Sequence, residues 1–212
     1  MSVKGKILAS AAALAVTGGA GLVVVPAASA ASNACGSTCM TLYTTQFGSG
    51  YVMAVKATGA KTGTAVTLTK AGLNTGEDFV LDNEGTVNDL NAIGLITNQV
   101  DLEYGSDEAY QFEYQPGGVG TGLCAGVGST PAAGTKVTLQ PCGENGGTLW
   151  VYDSADAAGR TIPLINGAGT NFSQPYSLTA PSDTGQLTTQ ELTSADGVID
   201  DNQLWESVYG AL

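Results

Sequence analysis

The sequence predicts an all-β domain of three related units, preceded by an export leader. Two observations carry this. Gly-rich turns recur at short intervals, and no long segment after residue 30 shows the 3.6-residue apolar period of a helix. A strand–turn–strand–turn–strand unit occurs more than once, and the 43% apolar content is enough to bury a core around it.

Residues 1–30 read as a secretory signal peptide. Lys4 and Lys6 supply the positive start, Ile7–Val25 the apolar run, and Ala28-Ser29-Ala30 the small-residue cleavage pattern. The mature chain then starts at Ala31 and is secreted and extracellular, with no membrane contact after cleavage. Losing the two leader lysines moves the formal charge from −12 to −14.

That acidity argues against nucleic acid, whose phosphates need a basic footprint. The chain has no His, which excludes Ser-His-Asp triads, Cys-His pairs and His-ligated zinc. Gly48-Ser49-Gly50 lacks the pattern of a nucleophile elbow and reads as a turn. The acidic groups Asp82-Asn83-Glu84-Gly85, Asp101–Glu108 and Asp196 with Asp200-Asp201 do not match a twelve-residue calcium loop. They read as solvated carboxylates. The expectation is a non-enzyme and a monomer, with no catalytic residues, no metal and no cofactor.

The clearest unit runs from Leu123 to Tyr152, with turns at Gly128–Gly134 and Gly143–Gly147. Val52 to Leu81 repeats it: the spacing from Gly63 to Phe79 equals that from Gly134 to Trp150, and Val66 and Leu68 fall on Val137 and Leu139. In this register Met53 stands at Cys124 and Ala71 at Cys142. Four cysteines in an exported chain imply disulfides. Because both cysteines are missing together from the first copy, Cys124–Cys142 is the expected pair, leaving Cys35 with Cys39. The bond would close a loop of about 19 residues, worth on the order of 3 kcal/mol. A looser third copy, Ser177 to Trp205, sets Leu192 on Leu139 and Trp205 on Trp150, with about two residues inserted. Three such units can close a small barrel.

The run Cys124-Ala125-Gly126-Val127 to Leu149-Trp150 and the terminal Asn202-Gln203-Leu204-Trp205 resemble the ricin B-chain type β-trefoil lectin repeat with its Gln-x-Trp signature. The resemblance implies a β-trefoil of twelve strands in three lobes around a pseudo-threefold axis. Phe79, Trp150 and Trp205 would be structural, one in the core of each lobe. Lobe one covers about 41–87, lobe two about 110–158 and lobe three about 160–212. The stretch from about 88 to 120 exceeds an ordinary connection. It reads as an inserted hairpin, with strand character at Ile93–Ile96, followed by the first strand of lobe two at Tyr110–Tyr114.

A sugar site needs a carboxylate for hydroxyl donors, an amide for orientation and an aromatic platform. By the resemblance, lobe two offers Gly126, Gln140 and Gly147 at those places, and lobe one offers Val55, Thr69 and Gly76. Lobe three retains the amide in Asn202. Its carboxylate place falls near Ala180 with Asp183 three residues on, and its platform place near Thr193 with Tyr176 as a substitute. Gln203 reads as satisfying backbone groups inside the fold. The partner is therefore a glycan or polysaccharide held by Asn202, Asp183 and Tyr176, or, if the sites have eroded entirely, a protein bound by a protease inhibitor or envelope component.

Non-reducing peptide mapping of the exported protein should find Ala31 at its N-terminus, no free thiol, and Cys35 joined to Cys39. A Cys35–Cys124 peptide would overturn the pairing.

Overall fold

The computed structural model describes residues 39–209 apart from 49, 57–58, 73–74, 144, 154–160, 172–174 and 196–197. The leader, Cys35, Ser49 and Asp196 lie outside these residues.

Lobe one is built from β1 (Met40–Thr44), β2 (Tyr51–Val55), β3 (Val66–Lys70) and β4 (Phe79–Thr86). Two short helices follow, α1 (Val87–Ala92) and α2 (Asn98–Tyr104). Lobe two comprises β5 (Glu108–Tyr114), β6 (Leu123–Gly126), an interrupted third strand β7 (Thr135–Lys136) and β8 (Thr138–Pro141), and β9 (Trp150–Tyr152). Lobe three comprises β10 (Leu164–Asn166), β11 (Tyr176–Thr179) and β12 (Thr188–Glu191). A small hairpin, β13 (Ser194–Ala195) and β14 (Val198–Ile199), precedes its last strand β15 (Trp205–Tyr209).

The first and last strands of each lobe form a closed barrel. Antiparallel pairs link β15 to β1, β1 to β4, β4 to β5, β5 to β9 and β9 to β10. The ring closes where Ile162 and Trp205 exchange two backbone hydrogen bonds of 2.9 Å. Closure removes the exposed sheet edge that an open sheet of this size would present.

The hairpins β2–β3, β6–β8 and β11–β12 cap one end of the barrel, and backbone bonds join them in a circle. Val66 N–H donates to Val137 O at 3.2 Å, Val137 N–H to Leu187 O at 2.9 Å, and Leu187 N–H to Val66 O at 3.0 Å. All three side chains are fully buried. The circle makes Val66, Val137 and Leu187 equivalent, and two steps along each strand it makes Leu68, Leu139 and Thr189 equivalent.

This corrects the third repeat. Leu192 does not take the place of Leu139; Thr189 does. Thirteen residues separate Val137 from Trp150 but eighteen separate Leu187 from Trp205, so five residues are inserted, not two. The β13–β14 hairpin accommodates them. The first repeat also shifts by one. Met53 faces Leu68, whereas Ala125 faces Leu139, so Met53 matches Ala125 and Val52 matches Cys124. The cysteine positions are still vacated together, and Cys124 is bonded to Cys142 with a Cα separation of 5.0 Å. Cys39 is also in a disulfide.

Phe79, Trp150 and Trp205 are 1%, 0% and 0% exposed in one shared core. The two indoles anchor alike: Trp150 Nε1 donates to Ala125 O and Trp205 Nε1 to Leu178 O, both at 2.8 Å. Phe79 has no such donor and packs at 5.6 Å from the Tyr114 ring.

The connection corrects the expectation of an inserted hairpin and of almost no helix. Thr86 and Thr97 cap the two helices, their hydroxyls accepting from Asp89 N–H and Val100 N–H. Val87 and Leu90, then Val100 and Tyr104, are buried at spacings of three and four. They form a second core with Ala109, Leu149, Val151 and Ile165, which face outward from the barrel wall because they alternate with core residues such as Trp150 and Leu164. Ile93 lies in the turn after α1 and is 70% exposed, not in a strand.

Trp150→Ala and Trp205→Ala should each lower unfolding free energy by about 3–5 kcal/mol in denaturant titrations, through a core cavity and a lost indole bond. Wild-type stability in either variant would contradict this account of the core.

Candidate functional site

The circle of hairpins fixes which residues of each lobe are equivalent, and so which stand at the places that the resemblance assigns to a ligand. Taking Ala125, Met53 and Leu178 as equivalent, the position after each is Gly126, Ala54 and Thr179. This moves the lobe-one place from Val55 to Ala54, and the lobe-three place from Ala180 to Thr179. The residue after the Leu139 position is Gln140, Thr69 and Gln190, which moves the lobe-three platform from Thr193 to Gln190. The residues before Thr148, Glu77 and Gln203 are Gly147, Gly76 and Asn202.

In lobe two the first and third of these places, Gly126 and Gly147, are packed shut. A Cβ on Gly126 would stand 2.6 Å from Gly147 O and 2.8 Å from Thr148 Cα, and one on Gly147 would stand 2.3 Å from Val127 O. The Asn166 side chain, fully buried, donates to Gly147 O at 3.0 Å. The turn between the inserted helices adds to this. A Cβ on Gly146 would meet Leu95 O at 2.3 Å, and Thr97 N–H donates to Gly167 O at 3.1 Å. Backbone thus fills the place where a carboxylate would act.

Lobe three is open. A depression of about 250 Å³ has Thr179, Gln190 and Asn202 in its wall, together with Glu191, Thr193, Asp200 and Gln203. Gln203 is 1% exposed and its amide is spent on the fold. Its Nε2 donates to Glu191 O at 2.9 Å and lies 3.3 Å from Thr179 Oγ1, while its Oε1 accepts from Thr193 N–H at 2.9 Å. Glu77 plays the corresponding part in lobe one, where Oε1 accepts from Gly72 N–H at 2.9 Å. Asn202 differs: its backbone carbonyl accepts from Ala180 N–H, but its side-chain Oδ1 is buried with no hydrogen-bond partner. An orphaned buried acceptor costs about 1–3 kcal/mol. Asp200 is exposed and its Oδ2 lies 2.7 Å from the Thr193 hydroxyl.

The other two residues expected at this site stand apart from it. Asp183 is exposed in the turn joining β11 to β12, and Tyr176 begins β11 opposite Glu191, on the sheet face of core residue Leu178. Neither lines the depression. Thr179, Gln190 and Asp200 do; sequence spacing missed the first two because the five-residue insertion falls between them and Trp205, and Asp200 because it follows the inserted hairpin.

The acidic groups are dispersed by the fold. Asp82, Asn83, Glu84 and Gly85 belong to strand β4, and Asp101 and Glu103 to helix α2. Burial, then repulsion from Glu113, holds the Asp82 carboxyl above its ordinary value. A bound cation would press it the other way. A second depression, lined by Ser106, Asp107, Glu108, Tyr110 and Tyr152, sits beside the connection. The two tyrosine rings meet there edge to face at 6.1 Å.

Among solved structures, the chain is similar to the designed three-fold symmetric protein ThreeFoil, with a TM-score of 0.55 and 14% identity over 80% of this chain and 96% of that one. The fold is a β-trefoil. A mosquitocidal holotoxin matches with a TM-score of 0.55 and 10% identity, over 80% of this chain but 17% of the toxin. A Caenorhabditis elegans protein with unknown function matches at 0.51 and 9% identity, over 81% of this chain and 93% of that one. At these identities the likeness is one of fold alone. No family model and no curated protein matches the sequence.

Gly126→Ala should destabilise the trefoil by about 1–3 kcal/mol, since its Cβ meets backbone that cannot move aside cheaply. Thermal denaturation measures this; an unchanged midpoint would mean that the lobe-two site is not closed by packing.

Proposed function

We propose that this chain is a secreted, non-catalytic carbohydrate-binding module that acts as a monomer and engages a glycan through lobe three. One observation carries the reading. The three places that the ricin-type resemblance assigns to sugar contacts, here Thr179, Gln190 and Asn202, share one open depression in lobe three, while two of their lobe-two counterparts, Gly126 and Gly147, are packed against backbone. The Cys124–Cys142 disulfide suits an exported protein.

The chemistry of the depression also sets the strength of binding. Among the described residues no aromatic side chain lines it, so none of them supplies the stacking that often dominates sugar affinity. Each polar contact must compete with water. Binding is accordingly weak and depends on polar groups placed in advance, chiefly Asn202 and Asp200.

A protein partner is the second reading. It is favoured by two large apolar side chains on the helical connection, Ile93 and Leu102, which are 70% and 72% exposed.

Sugar titration followed by NMR separates the two. A dissociation constant of about 0.1–1 mM is expected, or roughly 4–5.5 kcal/mol, with shifts clustered on Thr179, Gln190 and Asn202 and abolished by Asn202→Ala. Shifts around Gly126, or none with any sugar, would refute the lobe-three site.

A further inference from the structure

The aromatic surface that lobe three lacks stands at the open end of the barrel. The lobe-two hairpin follows β5 and precedes β9, so the start of β5 and the end of β9 lie at the barrel end away from it. Strand alternation carries the inward face of β5 from Tyr114 and Phe112 to Tyr110, and that of β9 from Trp150 to Tyr152. Tyr114, Phe112 and Trp150 are buried in the core. One step beyond it, Tyr110 is partly buried and Tyr152 is 37% exposed.

Both rings line the last apolar cavity of the barrel, with Leu81, Ile162 and Leu164. Both also line the outer depression of about 290 Å³, with Ser106, Asp107 and Glu108. They meet edge to face at 63°, and Tyr152 keeps part of its ring in solvent. The Tyr110 hydroxyl donates to the exposed Glu108 carboxylate. A carboxylate has about four acceptor positions, so others remain on Glu108 for hydroxyl donors. The wall is set before any ligand arrives. Asp107 N–H donates to Tyr104 O at 2.8 Å, Val87 N–H to Asp107 O at 2.9 Å, and Asn88 N–H to Gly105 O at 3.0 Å. Ordering it costs nothing on binding.

We propose, resting on the carbohydrate-binding reading above, that this depression is a second sugar-contact site, selective for neutral sugars with a flat C–H face. Tyr152 supplies the stacking surface, Glu108 accepts from sugar hydroxyls, and the Ser106 hydroxyl can donate or accept. No Lys or Arg among the described residues lines the depression. A uronate or sulfated sugar would set its charge against two acidic residues on a chain of net charge −12, and is excluded.

The test is NMR titration of the exported chain with cellohexaose, whose glucose rings carry equatorial hydroxyls and flat C–H faces, and with a galacturonate hexamer. Cellohexaose should shift Glu108, Tyr110 and Tyr152, equally in wild type and in Asn202→Ala. Its own C–H protons should move upfield, the mark of stacking on a ring. The galacturonate hexamer should leave all three residues unmoved. Tyr152→Ala should weaken this binding about fivefold, and Tyr152→Phe should leave it within about twofold, because the ring does the stacking. Glu108→Gln should weaken it about threefold. Melting temperatures are compared first. If Tyr152→Ala is destabilised, Tyr152→Phe, Glu108→Gln and the ligand's own upfield shifts decide the matter. Shifts confined to Thr179, Gln190 and Asn202 overturn this site and leave the lobe-three reading standing. Undiminished binding by a folded Tyr152→Ala overturns the stacking role, and equal binding of galacturonate overturns the sugar class. Shifts at Tyr110 and Tyr152 with tetramethylammonium but with no sugar overturn the sugar assignment in favour of an ammonium ligand. No shift anywhere with any sugar overturns both this site and the carbohydrate reading.

Discussion

Val66, Val137 and Leu187 each donate one backbone hydrogen bond to the next and accept one from the last. Every strand around the cap is referred to this circle. Its three residues come from three lobes, so the circle can exist only when all three hairpins are present. Each N–H and C=O would otherwise be buried without a partner, at about 1–3 kcal/mol apiece. The circle therefore couples the lobes more tightly than apolar contact alone, which is tolerant of slippage. It also fixes the register that decides which residues line the lobe-three depression.

Insertions are admitted where they leave the circle and the barrel undisturbed. The helical connection between β4 and β5 packs on the outside of the barrel wall, through Val87, Leu90 and Val100 against Leu149, Val151 and Ile165. The β13–β14 hairpin extends the chain between β12 and Trp205. Both change the surface of the lobes beside them. The first brings Leu95 onto Gly146 beside the closed lobe-two site. The second carries the chain to Asp200, which stands in the wall of the lobe-three depression.

A comparison of the three lobes shows how one frame supports different surfaces. The position before the Trp or Phe dipeptide is a hydrogen-bonding side chain in each, Glu77, Thr148 or Gln203, because a backbone group there must be satisfied inside the fold. The preceding position is Gly76, Gly147 or Asn202. Gly147 lets two backbones meet, whereas Asn202 stands with a partly buried side chain in the wall of the lobe-three depression.

Much of the frame was legible in the chain itself. The matched spacing from Gly63 to Phe79 and from Gly134 to Trp150 set two lobes, the paired absence of two cysteines set the Cys124–Cys142 bond, and the place of Trp150 and Trp205 marked the core. These are local or repeated features, and repetition makes them readable. The helices were also written there, in Thr86 and Thr97 followed by apolar residues three and four apart. Their short runs, however, carry too few turns to stand out against strand character. Only the tertiary structure decided the register of lobe three and hence its site. Sequence spacing set the apolar Leu192 on Leu139, a place that the structure gives to the polar Thr189. The circle decides it, because Leu187 completes the three mutual backbone bonds with Val66 and Val137, and Thr189 stands two residues on. That choice displaced Asp183 and Tyr176 from the depression and brought Thr179, Gln190 and Asp200 to Asn202.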